Sequence, residues 1–223
     1  VRRDVGDEMS RLLPLFLGLK RVPGTRVLAG GRGVTLSAPV RDGVRAVLRR
    51  NLRGGLPARF VRDLYLGWGA RPFAEVEAGE RLRAMGLPVP ETLGALARRV
   101  AFLFYRGAVA TREVERSANL WVYLEETADA AARRRACAAA GEVVRALHDA
   151  GAMHPDLNLQ NFLVQPDPRD GAAVPRIWLI DCDGVRFTSV GAAERRRARE
   201  RLARSCRRLD PEGAVVDPAW FEV

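Results

Sequence analysis

The residues best suited to chemistry lie between positions 148 and 184, in the stretch HDAGAMHPDLNLQNFLVQPDPRDGAAVPRIWLIDCDG. Asp156 and Asn161 stand five positions apart within HPDLNLQN, and the apolar run IWLI ends at Asp181. A carboxylate, an amide and a second carboxylate in this order suit phosphoryl transfer from a nucleotide. Asp156 would meet an acceptor hydroxyl as the catalytic base, while Asn161 and Asp181 would hold Mg2+ against the phosphates of ATP. The two parts reinforce each other.

Elements on either side must position these groups. Upstream, residues 125 to 150 are expected to form an alanine-rich helix with Val143, Val144 and Leu147 on its buried face and His148 packed at its end. His154 and Asn158 are expected to hold the loop backbone. Asp183 has two readings that the sequence leaves open: a second group for metal or acceptor, or an exposed loop carboxylate. Downstream, ERRRARERLARSCRR is a strongly basic helix whose default reading is a solvated face. Contact with acidic headgroups or phosphorylated sugar is the functional alternative. No aromatic platform accompanies it, so base stacking on nucleic acid is not expected. The final DPAWFEV resembles a docking tail.

The N-terminal half would supply the cation. TRVLAGGRGVTLSAPV suits two strands joined by a glycine turn, in which Gly31 and Gly33 would bring backbone amides to phosphate; a plain hairpin turn is the commoner reading. After the Asp42-Gly43 turn, VRAVLRR reads as a third strand. In kinases the third strand carries a phosphate-contacting lysine in a VAIK pattern, and AVLR puts Arg49 there. Lys20 is the only lysine in the chain, so Arg49 either substitutes for it or the site is defective; arginine is bulkier and planar. From Arg59 to Met85 the apolar spacing predicts two helices broken between Gly67 and Pro72. Glu75 in the first turn of the second is the natural partner of Arg49, with Glu77 and Glu80 as ordinary exposed carboxylates. VAFLFYRG and AVATREVE read as two further strands. The link that follows would offer backbone groups near Glu113 and Glu115 to an adenine ring.

Composition bounds these readings. With 223 residues, 48% of them apolar, the chain can bury the core of one domain or two small lobes. The apolar stretch LLPLFLGL is broken by Pro14 and Gly18 and falls short of the roughly 18 residues a membrane span needs. It lacks a small-residue cleavage site, so it does not resemble a signal peptide. Three cysteines without metal-ligand spacing, and only two histidines, make a reducing compartment the expectation and zinc an unexpected ligand. A net charge of +10 points to an anionic partner, although an excess that is nearly all arginine also fits a GC-rich genome.

Read together, the segments RGVTL, AVLRRNLRGG, RDLYLGWGARPFAEVEAGERLRAMGLPVP, HPDLNLQNFLV and IDCDG resemble the bacterial lipopolysaccharide-core sugar kinases, specifically the 3-deoxy-D-manno-octulosonic acid (Kdo) kinases, over roughly residues 28 to 210. The resemblance implies an α+β, two-lobed protein-kinase-like fold with a small β-rich N-lobe and a mainly helical C-lobe. The lobes would run from 26 to 116 and from 117 to 223, after a loosely attached lead-in over 1 to 25 that holds at most one helix. It implies Asp156 as catalytic base, Asn161 and Asp181 as magnesium ligands, and Arg49, carried in this family as arginine, partnered by Glu75. Arg50-Asn51 departs from an aromatic-containing pair expected after the cation, and Cys182 stands where an aromatic residue usually follows the metal aspartate.

The implied reaction is transfer of the ATP γ-phosphoryl group to a Kdo hydroxyl on Kdo-lipid A. It would take place at the cytoplasmic face of the bacterial inner membrane, with Arg59, Arg62, Arg71 and the 195–208 helix as candidate headgroup contacts. No obligate protein partner is inferred. A kinase for another small hydroxylated substrate would need Asp156 and Asp181 but no membrane-facing basic surface. A nucleotide-binding scaffold conflicts with the intact loop, and a nucleic-acid module leaves that loop unexplained.

Overall fold

The computed structural model describes residues 3–18, 24–28, 35–41, 43–51, 64–67, 70–102, 104–167 and 173–223. The chain divides into two compact units, Val1–Glu80 with Pro90–Glu113 and Arg81–Val89 with Val114–Val223. The first carries most of the strand and the second most of the helix, an α+β composition.

In the first unit, helix α1 (Gly6–Leu17) precedes strands β1 (Arg26–Leu28), β2 (Thr35–Arg41), β3 (Val44–Arg50) and β4 (Tyr65–Leu66). Helix α2 (Ala70–Ala84), whose residues from Arg81 on belong to the second unit, and strands β5 (Thr92–Ala101) and β6 (Phe104–Arg112) follow. The strands make one antiparallel sheet in the order β1-β2-β3-β6-β4, with β5 on the other edge of β6. β-branched and small residues alternate along β2, β3 and β6, so one face is buried: Ala38, Ala46, Leu48, Ala108 and Ala110 pack into a core with Leu93.

Helix α1 closes that core. Met9, Leu13, Phe16 and Leu17 recur at helical spacing and are at most 3% exposed, so Gly6–Leu17, within the segment expected as a loosely attached lead-in, packs into the core. Two other expectations are corrected. Tyr65 and Leu66, expected at the end of a helix, form a short strand on β6. VAFLFYRG, expected as one strand, spans the end of β5 and the start of β6. The glycine turn of residues 29–34, with Gly31 and Gly33, lies outside the described residues, as do Arg59 and Arg62.

The second unit contains strand β7 (Ala118–Asn119), helices α3 (Leu120–Glu126) and α4 (Ala130–Asp149), and strands β8 (Ala152–Met153), β9 (Phe162–Gln165), β10 (Arg176–Leu179) and β11 (Arg186–Phe187). Helix α5 (Ala192–Leu209) follows. The single helix expected over 125 to 150 is two, because Asp129 caps a new start, its carboxylate accepting from the Ala131 N–H at 2.9 Å. Strands order β10-β9-β7 in one sheet and β11-β8 in another. Among the described residues no helix is long and apolar enough to cross a membrane.

The terminal segment docks on its own unit. Phe221 is 2% exposed in the short 3₁₀ turn Pro218–Phe221, and its carbonyl lies so close to α4 that a Cβ at Gly141 would come within 1.5 Å of it. Gly141→Ala is therefore expected to lever the tail off α4, costing about 1–3 kcal/mol in urea unfolding and exposing the C-terminus to protease.

Asp210 ends α5. Its carboxylate accepts from the N–H groups of Ala214 (3.1 Å), Val215 (2.7 Å) and Val216 (2.9 Å). Burial pushes its pKa up, but those amides and that of Gly213 outweigh burial and hold it below the ordinary 3.8. A folded-state pKa below the unfolded one gives stability that is present above the unfolded value and lost as pH falls through the folded one. Asp210→Ala should lower stability by about 2–3 kcal/mol at neutral pH, and the gap to the unsubstituted protein should narrow in acid. Thermal unfolding across pH measures both.

Candidate active site

Two small antiparallel ladders build the loop that carries Asp156. Residues 154–161 run from β8 to β9, and residues 180–185 run from β10 to β11. Because β10 pairs with β9 and β11 pairs with β8, the same two ladders bracket both segments and hold them side by side. The register sets Phe162 opposite Leu179 and Met153 opposite Arg186. Buried Phe162, Val164, Ile177 and Leu179 anchor the first ladder.

Asn161 joins the two segments. Its Nδ2 donates to the Asp156 carbonyl at 2.8 Å, and its own carbonyl accepts from the Ile180 N–H at 2.9 Å. The turn holding Asp156 and the approach to Asp181 thus meet on one residue that is 9% exposed. With Nδ2 committed, amide planarity directs Oδ1 away from the Asp156 carbonyl. Asp181 adopts the left-handed conformation (φ 63°), which is uncommon for a non-glycine residue and re-aims its carboxylate at the end of β10. Gly184, also left-handed (φ 72°), turns the chain back toward β11 against Pro155.

Histidine and asparagine hold the backbone around Asp156. The His154 ring is 1% exposed, and its Nδ1 accepts from the Asp156 N–H at 3.2 Å. Burial depresses the His154 pKa, and this outweighs the opposing pull of the Asp181 and Asp156 carboxylates and the Ile180–Asp181 backbone. The ring is therefore neutral, which leaves Nδ1 as an acceptor. Asn158 donates to the Asp156 carbonyl at 3.3 Å and accepts from the Gln160 N–H at 2.9 Å. Asp156 is exposed, and the hydrogen bonds from His154, Asn158 and Asn161 hold it by its backbone. Helix α5 supports the loop from below: Ser205 Oγ accepts from the Leu159 N–H at 3.1 Å, and Ala198, Leu202 and Cys206 share its buried face. Nothing in the local sequence marked Ser205, because the signal is tertiary.

In the first unit Arg49 and Glu75 form an ion pair through Arg49 Nη2 and Glu75 Oε1. Glu75 is 6% exposed, and its second oxygen accepts from Asn51 Nδ2 at 2.8 Å. Asn51, one of the two residues that depart from the family pattern, is itself buried and completes this network. Its neighbour Arg50 turns the other way, donating to the Phe16 carbonyl with its guanidinium 5.1 Å from that ring. Gly107 is required here: a Cβ would meet Pro72 at 2.4 Å and Asn51 Oδ1 at 2.9 Å.

The Glu113 N–H donates to the Arg45 carbonyl at 2.9 Å, and its carboxylate accepts from Arg26, Ser37 and Arg45. Burial raises the Glu113 pKa, and those hydrogen bonds and charges outweigh it and lower the value. Glu115 is exposed, and its carbonyl accepts from Gln165 Nε2 at 3.0 Å. Both residues spend these groups inside the chain, as ends of secondary structure do. Arg71 lies over the Tyr65 ring at 4.8 Å. On α5, Arg195 pairs with Asp149 at 2.8 Å and Arg197 with Glu194 at 3.3 Å.

The model of the lipopolysaccharide kinase (Kdo/WaaP) family matches residues 21–218. A 3-deoxy-D-manno-octulosonic acid kinase of Pasteurella multocida (strain Pm70) is 38% identical over 160 residues, 70% of this chain and 64% of that protein. One from Stenotrophomonas maltophilia (strain R551-3) is 35% identical over 213 residues, 94% of this chain and 79% of that protein. The chain thus spans just under two thirds of the Pasteurella protein's length. Among solved structures, WaaP in complex with acyl carrier protein superposes with a TM-score of 0.53 at 19% identity, covering 79% of this chain and 68% of that one. That likeness shows the α+β kinase-like fold. The chain therefore belongs to the lipopolysaccharide kinase (Kdo/WaaP) family.

Proposed function

We propose that the chain is an ATP-dependent sugar kinase that transfers the γ-phosphoryl group to a Kdo hydroxyl of Kdo-lipid A or a related anionic glycolipid. The observation that supports it is the single hydrogen-bonded node at Asn161, which joins the Asp156 turn to the Asp181 approach in a chain of this family. Asp156 is assigned to the acceptor: its carboxylate accepts a hydrogen bond from the hydroxyl, fixes the direction of attack and takes the proton. The exposed carboxylate on a tightly held backbone suits that role.

Asn161 and Asp181 are the residues that would hold Mg2+. An amide oxygen turned away from its own hydrogen bond and a carboxylate are hard donors of the type this ion takes while keeping several waters. When bound, the ion offsets the charge of the phosphates. Arg49, with its guanidinium fixed by Glu75, is assigned to the phosphates of the nucleotide. Peripheral contact with the cytoplasmic face of the inner membrane follows from a lipid acceptor.

The test is ATP consumption by the purified chain with magnesium, with and without Kdo-lipid A. Turnover stimulated by the glycolipid supports the assignment. Nucleotide binding without turnover would make the chain a scaffold, and stimulation by a simpler sugar alone would move the acceptor to another small hydroxylated substrate.

A further inference from the structure

The connection between β5 and β6 carries an apolar tip that no interior accounts for. Phe102 is 78% exposed, Leu66 60%, Val100 50% and Phe104 41%. These positions are neighbours. Leu66 pairs with Phe104 across β4 and β6, and Ala101 pairs with Phe104 across β5 and β6. Strand alternation explains why they face out. Tyr65 and Tyr105, the adjacent register pair, point to the opposite face, where both are buried with ring centroids 5.6 Å apart. An irregularity in register between Arg99 and Ala101 re-aims Val100 toward the tip. The tip is thus rooted by a stacked aromatic pair.

Arginines stand next to this patch among the described residues. Arg98 pairs with Arg106 on the face shared by Phe104 and Leu66, one step further along the ladder, and Arg99 is the next residue. Arg98 and Arg99 are exposed. Soluble surfaces seldom cluster large apolar side chains this way unless they meet a partner. An aromatic and aliphatic tip backed by arginines, in a chain of net charge +10, matches one surface chemistry. It is the interface of an anionic bilayer, with apolar groups at the acyl boundary and guanidinium groups at the phosphates.

We propose that the β5–β6 tip, Val100, Phe102, Phe104 and Leu66 with Arg98 and Arg99 behind them, inserts into the interface of an anionic membrane. This deepens the lipid-acceptor reading by naming the surface that meets the bilayer, yet it rests on exposure and charge and can be tested without catalysis. Sedimentation of the full chain with phosphatidylglycerol–phosphatidylcholine vesicles should pellet it, with much less carried down by phosphatidylcholine alone. The double variant Val100→Ser, Phe102→Ser should partition about 10-fold more weakly while phosphorylating detergent-dispersed Kdo-lipid A at the unsubstituted rate. A second measurement does not depend on weakened binding: Phe102→Cys, labelled with an environment-sensitive fluorophore, should shift to the blue on anionic vesicles.

Vesicle binding unchanged in the double variant, or a label that does not respond, would overturn the proposal. So would an unsubstituted chain that self-associates through the tip and fails to pellet with vesicles. If the chain binds vesicles through the tip but phosphorylates no glycolipid, the tip assignment stands and the acceptor assignment falls.

Discussion

Asp156→Asn is expected to remove phosphoryl transfer while leaving the fold intact, with kcat lower by about 10²- to 10⁴-fold. The bonds that fix the turn use the residue's N–H and carbonyl, bonded to His154, Asn158 and Asn161, and the exchange of one carboxylate oxygen for an amide touches none of them. Thermal unfolding should therefore match that of the unsubstituted protein, and ATP should still bind. A loss of activity accompanied by an equal loss of stability would mean that Asp156 holds the loop and does not act on the acceptor. Asn161→Ala differs in kind. It removes the shorter of the two hydrogen bonds to the Asp156 carbonyl and should lower stability and activity together.

Glu75→Ala should lower both stability and activity, and its stability effect should exceed that of Asp156→Asn, Asn161→Ala or Arg49→Lys. The carboxylate is 6% exposed and bonds Arg49 and Asn51 at once. Its removal leaves Asn51, 4% exposed and with Oδ1 already without a partner, as a buried amide that cannot reach water. The cost is about 2–4 kcal/mol, read by denaturant unfolding. Arg49 side-chain exposure is 32%, so its guanidinium can turn to solvent and contributes less to that cost. Its reorientation appears instead in kinetics, as a fall of about 10- to 100-fold in kcat/KM for ATP. Arg49→Lys separates the two effects: an ammonium can still meet one Glu75 oxygen, so stability should be largely kept while the loss in kcat/KM persists, because a point charge lacks the planar fork. Full activity in Arg49→Lys would show that the guanidinium is not specifically needed.

Parts of this molecule were legible in the sequence because local pattern and tertiary role coincide there. The loop from His154 to Asn161 and the run before Asp181 are bounded by short apolar segments and turn residues, and those segments became the paired strands β8 to β11. The pairing of Arg49 with Glu75 followed from the kinase pattern of a third-strand cation and a helix glutamate, onto which AVLR and FAEVEAGERLRAM map. Other parts were hidden. The spacing of Phe60, Leu64 and the residues after them imitates a helix, whereas Tyr65 and Leu66 take strand geometry because β6 offers an edge. The turn at Phe102 contains no glycine, proline or asparagine in VAFLF, so alternation runs through it without a break. Helix α1 showed its apolar stripe, but Pro14 inside it masked the period. Nothing local announces that Arg26, Ser37 and Arg45 converge on Glu113. The support given by Ser205 to Leu159 spans 46 positions, and no local pattern carries such a contact.

The central claim concerns where a phosphate goes, and fragmentation mass spectrometry of Kdo-lipid A after incubation with the chain, ATP and magnesium follows it directly. The account predicts one added phosphate that stays with the Kdo fragment, absent with Asp156→Asn. Unmodified glycolipid under conditions where the chain phosphorylates a simpler sugar, or equal product from Asp156→Asn, would contradict it.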